Sequence, residues 1–498
     1  MEIILINPGG TPARGDTYLS SKKDRYMYPY SIIYLYNYLA KKGIQSKVFD
    51  MYLQKEEEIL NYSKNKTKLL VGVTAQTYTS MIALNFIKKL KKQNPNAIVV
   101  VGGKHFWFTD KDVLNKYNEI DYVVRGEGEI TFYDLVQAIQ NKNNVDPIPG
   151  ITYRKDGKIV RNPDRPQVRL LKQISLDYDI LPFQDYFSKG FYMNNFEREK
   201  IKSLPLFLGR GCSQKCAFCI YNKFQYRTKK LDDVINDIQY LKKKFNTPYF
   251  TFSDPSFCER RSFAIKFCEN LLSENINIKW SCEARVDTPL ELLQLMAKAG
   301  CISVDFALES GSKKVLDVIR KKIDIAQVFT FAQLCHKLNI RSHFFVMVSL
   351  PEETEEDALQ TINITRKLAK YCNSISVAAT QIYPGTELEN IAYSKKILPQ
   401  DFSYHDPNYF HKYTDICHEN VPLYFENLSI DFIRWFYRET EKIKNVEFDN
   451  MRKLLTKGLW GIRKMPSQSL SKNMRDVVKF SRAIGGKVHK AIHFSNRV

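Results

Sequence analysis

The chain alternates short, continuous apolar runs with segments in which apolar residues recur every three or four positions. The runs read as strands buried on both faces, and the periodic segments as amphipathic helices. In residues 1–145, strands are predicted at 2–7, 45–50, 69–74, 97–101 and 121–124, with helices over 31–42, 81–92 and from 131. The first helix ends in Lys41-Lys42-Gly43, a basic last turn and a glycine stop, and Asn94-Pro95 ends the second. This alternation predicts a doubly wound, Rossmann-like parallel sheet, whose ligands sit beyond the carboxyl ends of the strands. Small and polar loops fall at those ends: Pro8-Gly9, Thr74 to Thr77, Gly102 to His105, and Gly126-Glu127-Gly128.

Residues 146–200 read as a connector. It holds a hairpin at 151–161 with an Asp156-Gly157 turn, then prolines at 163, 166 and 182 that favour an extended crossing. Residues 201–385 hold six further strand–helix units, with strands near 204–208, 249–253, 279–284, 303–308, 342–349 and 374–380. Six parallel units predict a partial (β/α)6 TIM-like barrel with its chemistry at the strand tips. Residues 386–498 read as a helical, basic region, in which Leu428, Phe432, Trp435 and Phe436 share one helical stripe.

At 498 residues the chain is too long for one core. No run approaches the roughly 20 apolar residues of a membrane helix. The opening residues read as a first strand, not as a signal peptide. Ten cysteines, three clustered and seven scattered, suit a reducing cytoplasm better than a disulfide framework. The net charge of +21 favours anionic partners. Between Arg452 and Arg497, twelve Lys and Arg stand against Asp476 alone. Such a run is ordinarily a solvated face; its sharper use is contact with a membrane surface or an anionic substrate. No recognised module speaks for nucleic acid.

One stretch carries chemistry. Cys212, Cys216 and Cys219 form a CxxxCxxC array directly after an apolar strand, in a loop opened by Gly209 and Gly211. Three soft thiolates on one loop suit zinc or an iron–sulfur cluster. Structural zinc takes four closed ligands, and no fourth Cys or His follows nearby. Three ligands leave one iron of a 4Fe–4S cluster open.

The array, with Phe218 just before the last cysteine, resembles the signature of the radical S-adenosylmethionine (radical SAM) enzymes. The resemblance implies that the open iron chelates SAM. An electron from an external low-potential donor then cleaves SAM to methionine and a 5′-deoxyadenosyl radical. By the same resemblance Asp254 lies beside the SAM amino group. Arg285 and Glu309 belong to EARVD and ESGS words, and Lys321 is a basic position near the SAM carboxylate. The chain departs from the family where Lys322 and Glu352 stand in place of glycine, which puts loop shape in question.

The words ILINP, VVVGGKH and DYVVRGEGE make residues 1–145 similar to the cobalamin-binding domain that precedes the barrel in one large subclass. This resemblance implies cobalamin contacts from Thr74, Gln76, Thr77, Gly102, Gly103, His105, Gly126, Glu127 and Gly128. No DxHxxG loop is present to supply a cobalt-ligating histidine. The expectation is a cobalamin-dependent methyltransferase acting on an unactivated carbon of a small or lipid-like, anionic substrate. The alternatives are a cobalamin-binding cyclase or rearrangement enzyme, and a non-catalytic iron–sulfur or cobalamin-binding module.

Overall fold

A computed structural model describes residues 1–9, 29–167, 179–188, 193, 196, 200–414, 416 and 419–443. Cys417 and the basic stretch 452–497 lie outside them. Residues 1–437 form one compact unit, and a second unit begins at residue 438.

Five strands, β1 (Glu2–Asn7), β2 (Lys47–Asp50), β3 (Leu69–Thr74), β4 (Ile98–Gly102) and β5 (Tyr122–Val124), lie parallel in the order β2-β1-β3-β4-β5. Ile4, Ile6, Val71 and Val99 are wholly buried because helices cover both faces of the sheet. These helices are α1 (Tyr30–Lys41), α2 (Glu56–Lys64), α3 (Ser80–Gln93), α4 (Lys104–Phe108), α5 (Asp110–Lys116) and α6 (Gly128–Asn141). The hairpin forms as β6 (Ile151–Lys155) and β7 (Lys158–Arg161). It extends this sheet antiparallel to β5, so part of the expected connector is sheet. Beyond it, α7 (Phe183–Ser188) brings the Tyr186 hydroxyl onto the Asp50 carboxylate at the tip of β2.

The second sheet begins with β8 (Leu204–Leu206) and is interrupted by a small ribbon, β9 (Gly209–Arg210) with β10 (Arg227–Thr228). It continues through β11 (Tyr249–Phe252), β12 (Lys279–Glu283), β13 (Cys301–Glu309), β14 (Arg341–Val348) and β15 (Ser374–Ala379). The six long strands are all parallel, in the order β15-β14-β13-β12-β11-β8. Between them run α8 (Leu231–Phe245), α9 (Arg261–Ser273), α10 (Leu290–Lys298), α11 (Lys313–Val318), α12 (Ile325–Lys337) and α13 (Glu355–Leu368).

Side-chain parity divides the sheet's two faces. Trp280 and Phe306 meet Phe267 of α9 and Phe331 of α12, so they face the helices. Ser281, Glu283 and Asp305 therefore face the concave side, and Glu309, past a register break in β13, lies near enough to Glu283 to raise its carboxyl. Ser203, Thr251 and Ser281 are joined there by hydroxyl hydrogen bonds of 2.8 and 3.1 Å, a polar floor.

Lys322 and Glu352, the two departures from glycine, have φ of +47° and +61°. The loops keep the left-handed backbone that glycine would take, at a strain of roughly 1–2 kcal/mol each. The region after 385 is only partly helical: α14 (Glu387–Ser394) is followed by irregular chain up to a helix that starts at residue 430. Ile433, Phe436 and Tyr437 form that helix's buried stripe, while Phe432 and Trp435 are half-exposed and pack on each other.

Glu353, beside the strained Glu352, is 1% exposed and accepts the Leu350 amide at 3.0 Å. Burial pushes its carboxyl up to about 7. A carboxyl raised in the folded state stabilises fully below its unfolded value, and that contribution is lost as pH rises through about 7. Denaturant titrations from pH 4 to pH 8 should therefore show Glu353→Gln gaining about 3 kcal/mol on the wild type. A pH-independent difference would contradict the burial argument.

Candidate functional site

The cysteine loop leaves the barrel through the β9–β10 ribbon. Gly211 turns it at φ +81°, where a Cβ would lie 2.5 Å from the Phe224 and Gln225 carbonyls. Only glycine fits that approach. The loop is tied down by the Ala217 amide on the Ile319 carbonyl at 2.9 Å and the Leu388 amide on the Ala217 carbonyl at 2.9 Å. Cys212, Cys216 and Cys219 are all free thiols. Burial lifts the Cys212 thiol to about 11 and raises the other two. Three free soft donors on a loop held open by glycine fit a cluster that takes one thiolate on each of three irons.

The structure gathers four of the expected residues. Lys321 Nζ lies 2.8 Å from Glu309 Oε1, with side chains 12% and 7% exposed. Lys321 and Arg285 are both close enough to pull the Cys216 thiol down against its burial. Arg285 grips Asp287 through two contacts of 3.0 and 3.2 Å. Glu309 itself has φ +60°, at a break in the β13–β14 register. Phe218 is half-buried against the cluster of Ile382, Leu388 and Tyr424.

Asp254, expected beside the SAM amino group, is held at the root of the cysteine loop. Its carboxylate is 4% exposed and accepts the Leu208 and Gly209 amides at 2.9 and 2.5 Å. It closes the turn from which the cysteine loop springs. Burial lifts it to about 7 despite those two donors.

Sequence reasoning missed two carboxylates. Glu259 accepts the Ser213 amide at 2.9 Å and lies 3.8 Å from the Cys212 sulfur. Glu283 pairs in register with Asp305 on the concave face. Its side chain is exposed toward the concave space, and desolvation by the surrounding strands, then Asp305, push its carboxyl up to about 8. The alternation Trp280, Cys282 against Ser281, Glu283 was the signal that placed it inward.

At the tips of the first sheet, Gln76 is exposed and Thr74, Gly102, Gly103 and Gly126 are partly exposed. Gly103, at φ +94°, lets the β4 loop close on β3: a Cβ there would lie 2.6 Å from Thr74 Oγ1 and 2.7 Å from the Ala75 carbonyl. The chain is helical from Lys104, where a loop was expected. Three other candidates have contacts of their own within the protein. Thr77 is buried and its carbonyl accepts Asn420 Nδ2 at 2.8 Å. His105 is fully buried, its ring 4.9 Å from that of His405, and among the described residues neither ring has a hydrogen-bond partner. Burial holds the His105 imidazole well below its usual value, so it stays neutral. Glu127 is ion-paired with Arg227 at 2.6 Å, and Gly128 begins α6.

The tips of the two sheets meet. Lys104 Nζ lies 3.7 Å over the Tyr221 ring, and Trp107 meets Phe224 edge-on at 4.9 Å. A Cβ on Gly385 would collide with Phe108 at 2.3 Å. Thus α4 of the first sheet packs directly on the loop that carries the cysteines.

The sequence matches the radical SAM superfamily over residues 206–364 and the B12 binding domain over residues 22–136. An uncharacterized methyltransferase of Pyrococcus horikoshii is 30% identical over 335 residues, 66% of this chain and 70% of the relative. The chain belongs to the cobalamin-binding radical SAM family. It is a radical SAM enzyme, whose family cofactors are a 4Fe–4S cluster, SAM and cobalamin. Membership sets aside the reading as a non-catalytic module. A second relative of this radical SAM enzyme is the anaerobic magnesium-protoporphyrin IX monomethyl ester cyclase of Rubrivivax gelatinosus. It is 30% identical over 68% of this chain, which spans 62% of the cyclase's length. Among solved structures, the methyltransferase TsrM of Kitasatospora setae, with cobalamin and a [4Fe–4S] cluster bound, shares the fold. It gives a TM-score of 0.63 at 17% identity, over 79% of this chain and 78% of TsrM. Among the described residues, no helix of the enzyme is long and apolar enough to cross a membrane.

Proposed function

We propose that this enzyme is a cobalamin-dependent methyltransferase acting on an unactivated carbon of a small or lipid-like, anionic substrate. The observation that carries the reading is the packing of α4, at the tips of the cobalamin-type sheet, on the cysteine loop. When bound, the cluster supplies the electron that cleaves SAM reductively, and cobalamin supplies a carrier for the methyl group. The protein binds, orients and excludes water. Cys212, Cys216 and Cys219 hold the cluster. Glu309, Lys321 and Arg285 set opposite charges beside Cys216, suited to the ammonium, carboxylate and ribose diol of SAM. Glu283, its carboxyl raised beside Asp305, lies exposed on the concave face. An external low-potential donor and a reducing cytoplasm complete the reading.

The methyltransferase name of the P. horikoshii relative supports methyl transfer. The cyclase name of the R. gelatinosus relative, at the same identity, supports the rival: the radical without the methyl group. Reconstitution with and without cobalamin separates them. Methyl transfer predicts S-adenosylhomocysteine only when cobalamin is bound. The cyclase reading predicts 5′-deoxyadenosine alone in both cases, and that result would end the methyltransferase proposal.

A further inference from the structure

Arg210 and Arg227 are directly paired residues of the antiparallel β9–β10 ribbon. Like charges in that relation repel, and here the side chains are only 27% and 5% exposed. The ribbon is also the root of the cysteine loop: β9 leads into Cys212, and β10 receives the chain after Cys219. The charge that reconciles the two cations comes from the other sheet. Glu127 Oε1 accepts Arg227 Nη2 at 2.6 Å and Arg210 Nη1 at 3.3 Å, while its Oε2 accepts Arg227 Nη1 at 2.9 Å. The Arg227 contact is thus a two-pronged fork, the strong form of this pairing. Glu129 takes Arg210 Nη2 at 2.6 Å, and the Tyr34 ring lies 4.9 Å from the Arg210 guanidinium carbon. Gly126, at φ +72°, makes the turn that presents Glu127, and α6 begins just after it.

The root also holds the Lys229 amide on the Leu208 carbonyl at 2.8 Å, and Arg227 Nε donates to the Gln225 carbonyl at 3.0 Å. Glu127 and Glu129 set two carboxylates against the two arginines, and of these two Glu127 touches both. We propose that Glu127 is a positioning residue that couples the cobalamin-type domain to the cysteine loop, by bridging the two arginines at its root. The loop then takes the conformation that receives the cluster only while the first domain's β5–α6 turn is seated on it. This rests on the reading above that the loop holds a cluster.

The test uses the full chain as wild type, Glu127→Gln, Arg227→Gln and the double variant, each iron-free and anaerobically reconstituted with iron and sulfide. Glu56→Gln, which breaks an exposed pair with Lys89, is the control. Hydrogen exchange of residues 209–228 and the electron paramagnetic resonance spectrum of the reduced cluster are read. Glu127→Gln removes the fork on Arg227 and leaves Glu129 as one carboxylate facing two arginines, so exchange across 209–228 should rise about tenfold with β1 and β3 still protected, and the spectrum should split into several species. Adding Arg227→Gln removes one of the two cations and should return both readouts most of the way to wild type. A merely structural contact gives additive losses instead. Wild-type exchange and spectrum in Glu127→Gln, or a double variant as damaged as the sum of the singles, would overturn the proposal. If Glu127→Gln fails to fold, refolding and recovery in the double variant support it, and failure of both overturns it. Exchange is measured on iron-free protein too. A wild type that takes up no iron therefore sinks the cluster reading alone, and the exchange result still decides the role of Glu127.

Discussion

Cys216→Ala should abolish cluster loading and, with it, reductive cleavage of SAM. The side chain lost is small, and the loop keeps its backbone ties to Ile319 and Leu388, so the fold survives. What disappears is one of three thiolates, and two cannot hold three irons of a cluster whose fourth must stay open. Iron and sulfide should fall from about four of each per chain to near background, with no 5′-deoxyadenosine. The comparison that gives this meaning is Cys258→Ala. Cys258 is buried 3.7 Å from the Met296 sulfur and behaves as a small apolar residue. Its variant should load iron as the wild type does, with at most a modest loss of stability. A Cys216→Ala protein that still cleaves SAM reductively would remove the cluster assignment.

The second large effect is expected at the Glu309–Lys321 pair. Lys321→Met leaves a nearly buried carboxylate without its cation, which costs about 3–5 kcal/mol. Burial disfavours the Lys321 ammonium, yet Glu309, with Cys216, more than compensates and raises it. Glu309→Gln should be damaging for the converse reason. The double variant, Glu309→Gln with Lys321→Met, leaves no unpaired charge and should recover most of the stability. SAM affinity separates structure from function here. If the pair only braces the loop, affinity returns with stability; the account predicts a stable double variant that binds SAM at least about tenfold more weakly. Denaturant midpoints and equilibrium dialysis with labelled SAM read the two quantities.

Much of this architecture was legible because its parallel strands are buried on both faces and so appear as unbroken apolar runs. Leu69 to Thr74 is an example, and its tip loop follows from the run's end. CxxxCxxC spacing after such a strand located the cluster loop. The contacts that local spacing did not announce share one cause: the partners are far away in sequence. Glu127 reads as a tip residue until the fold brings Arg210 and Arg227 to it, 83 and 100 positions on. Asp254 also accepts two backbone amides, 45 and 46 positions back, that no local spacing announces. His105 lies one residue inside α4, where the helix turns its ring into the core and away from the tip surface. The β9–β10 ribbon, two residues per strand, is too short for any periodicity to show. At Lys322 and Glu352 the sequence suggested altered loops, and the backbone instead kept its left-handed turns with a side chain in place.

The central claim is that one mouth serves both the cysteine loop and the cobalamin-type sheet. The most direct measurement takes protein reconstituted anaerobically with iron, sulfide and cobalamin, passes it through gel filtration, then adds SAM and a low-potential reductant. Retained cobalamin, 5′-deoxyadenosine and S-adenosylhomocysteine are quantified together by mass spectrometry. The account predicts all three from the same fraction. A protein with an intact cluster that retains no cobalamin and leaves SAM uncleaved would contradict it.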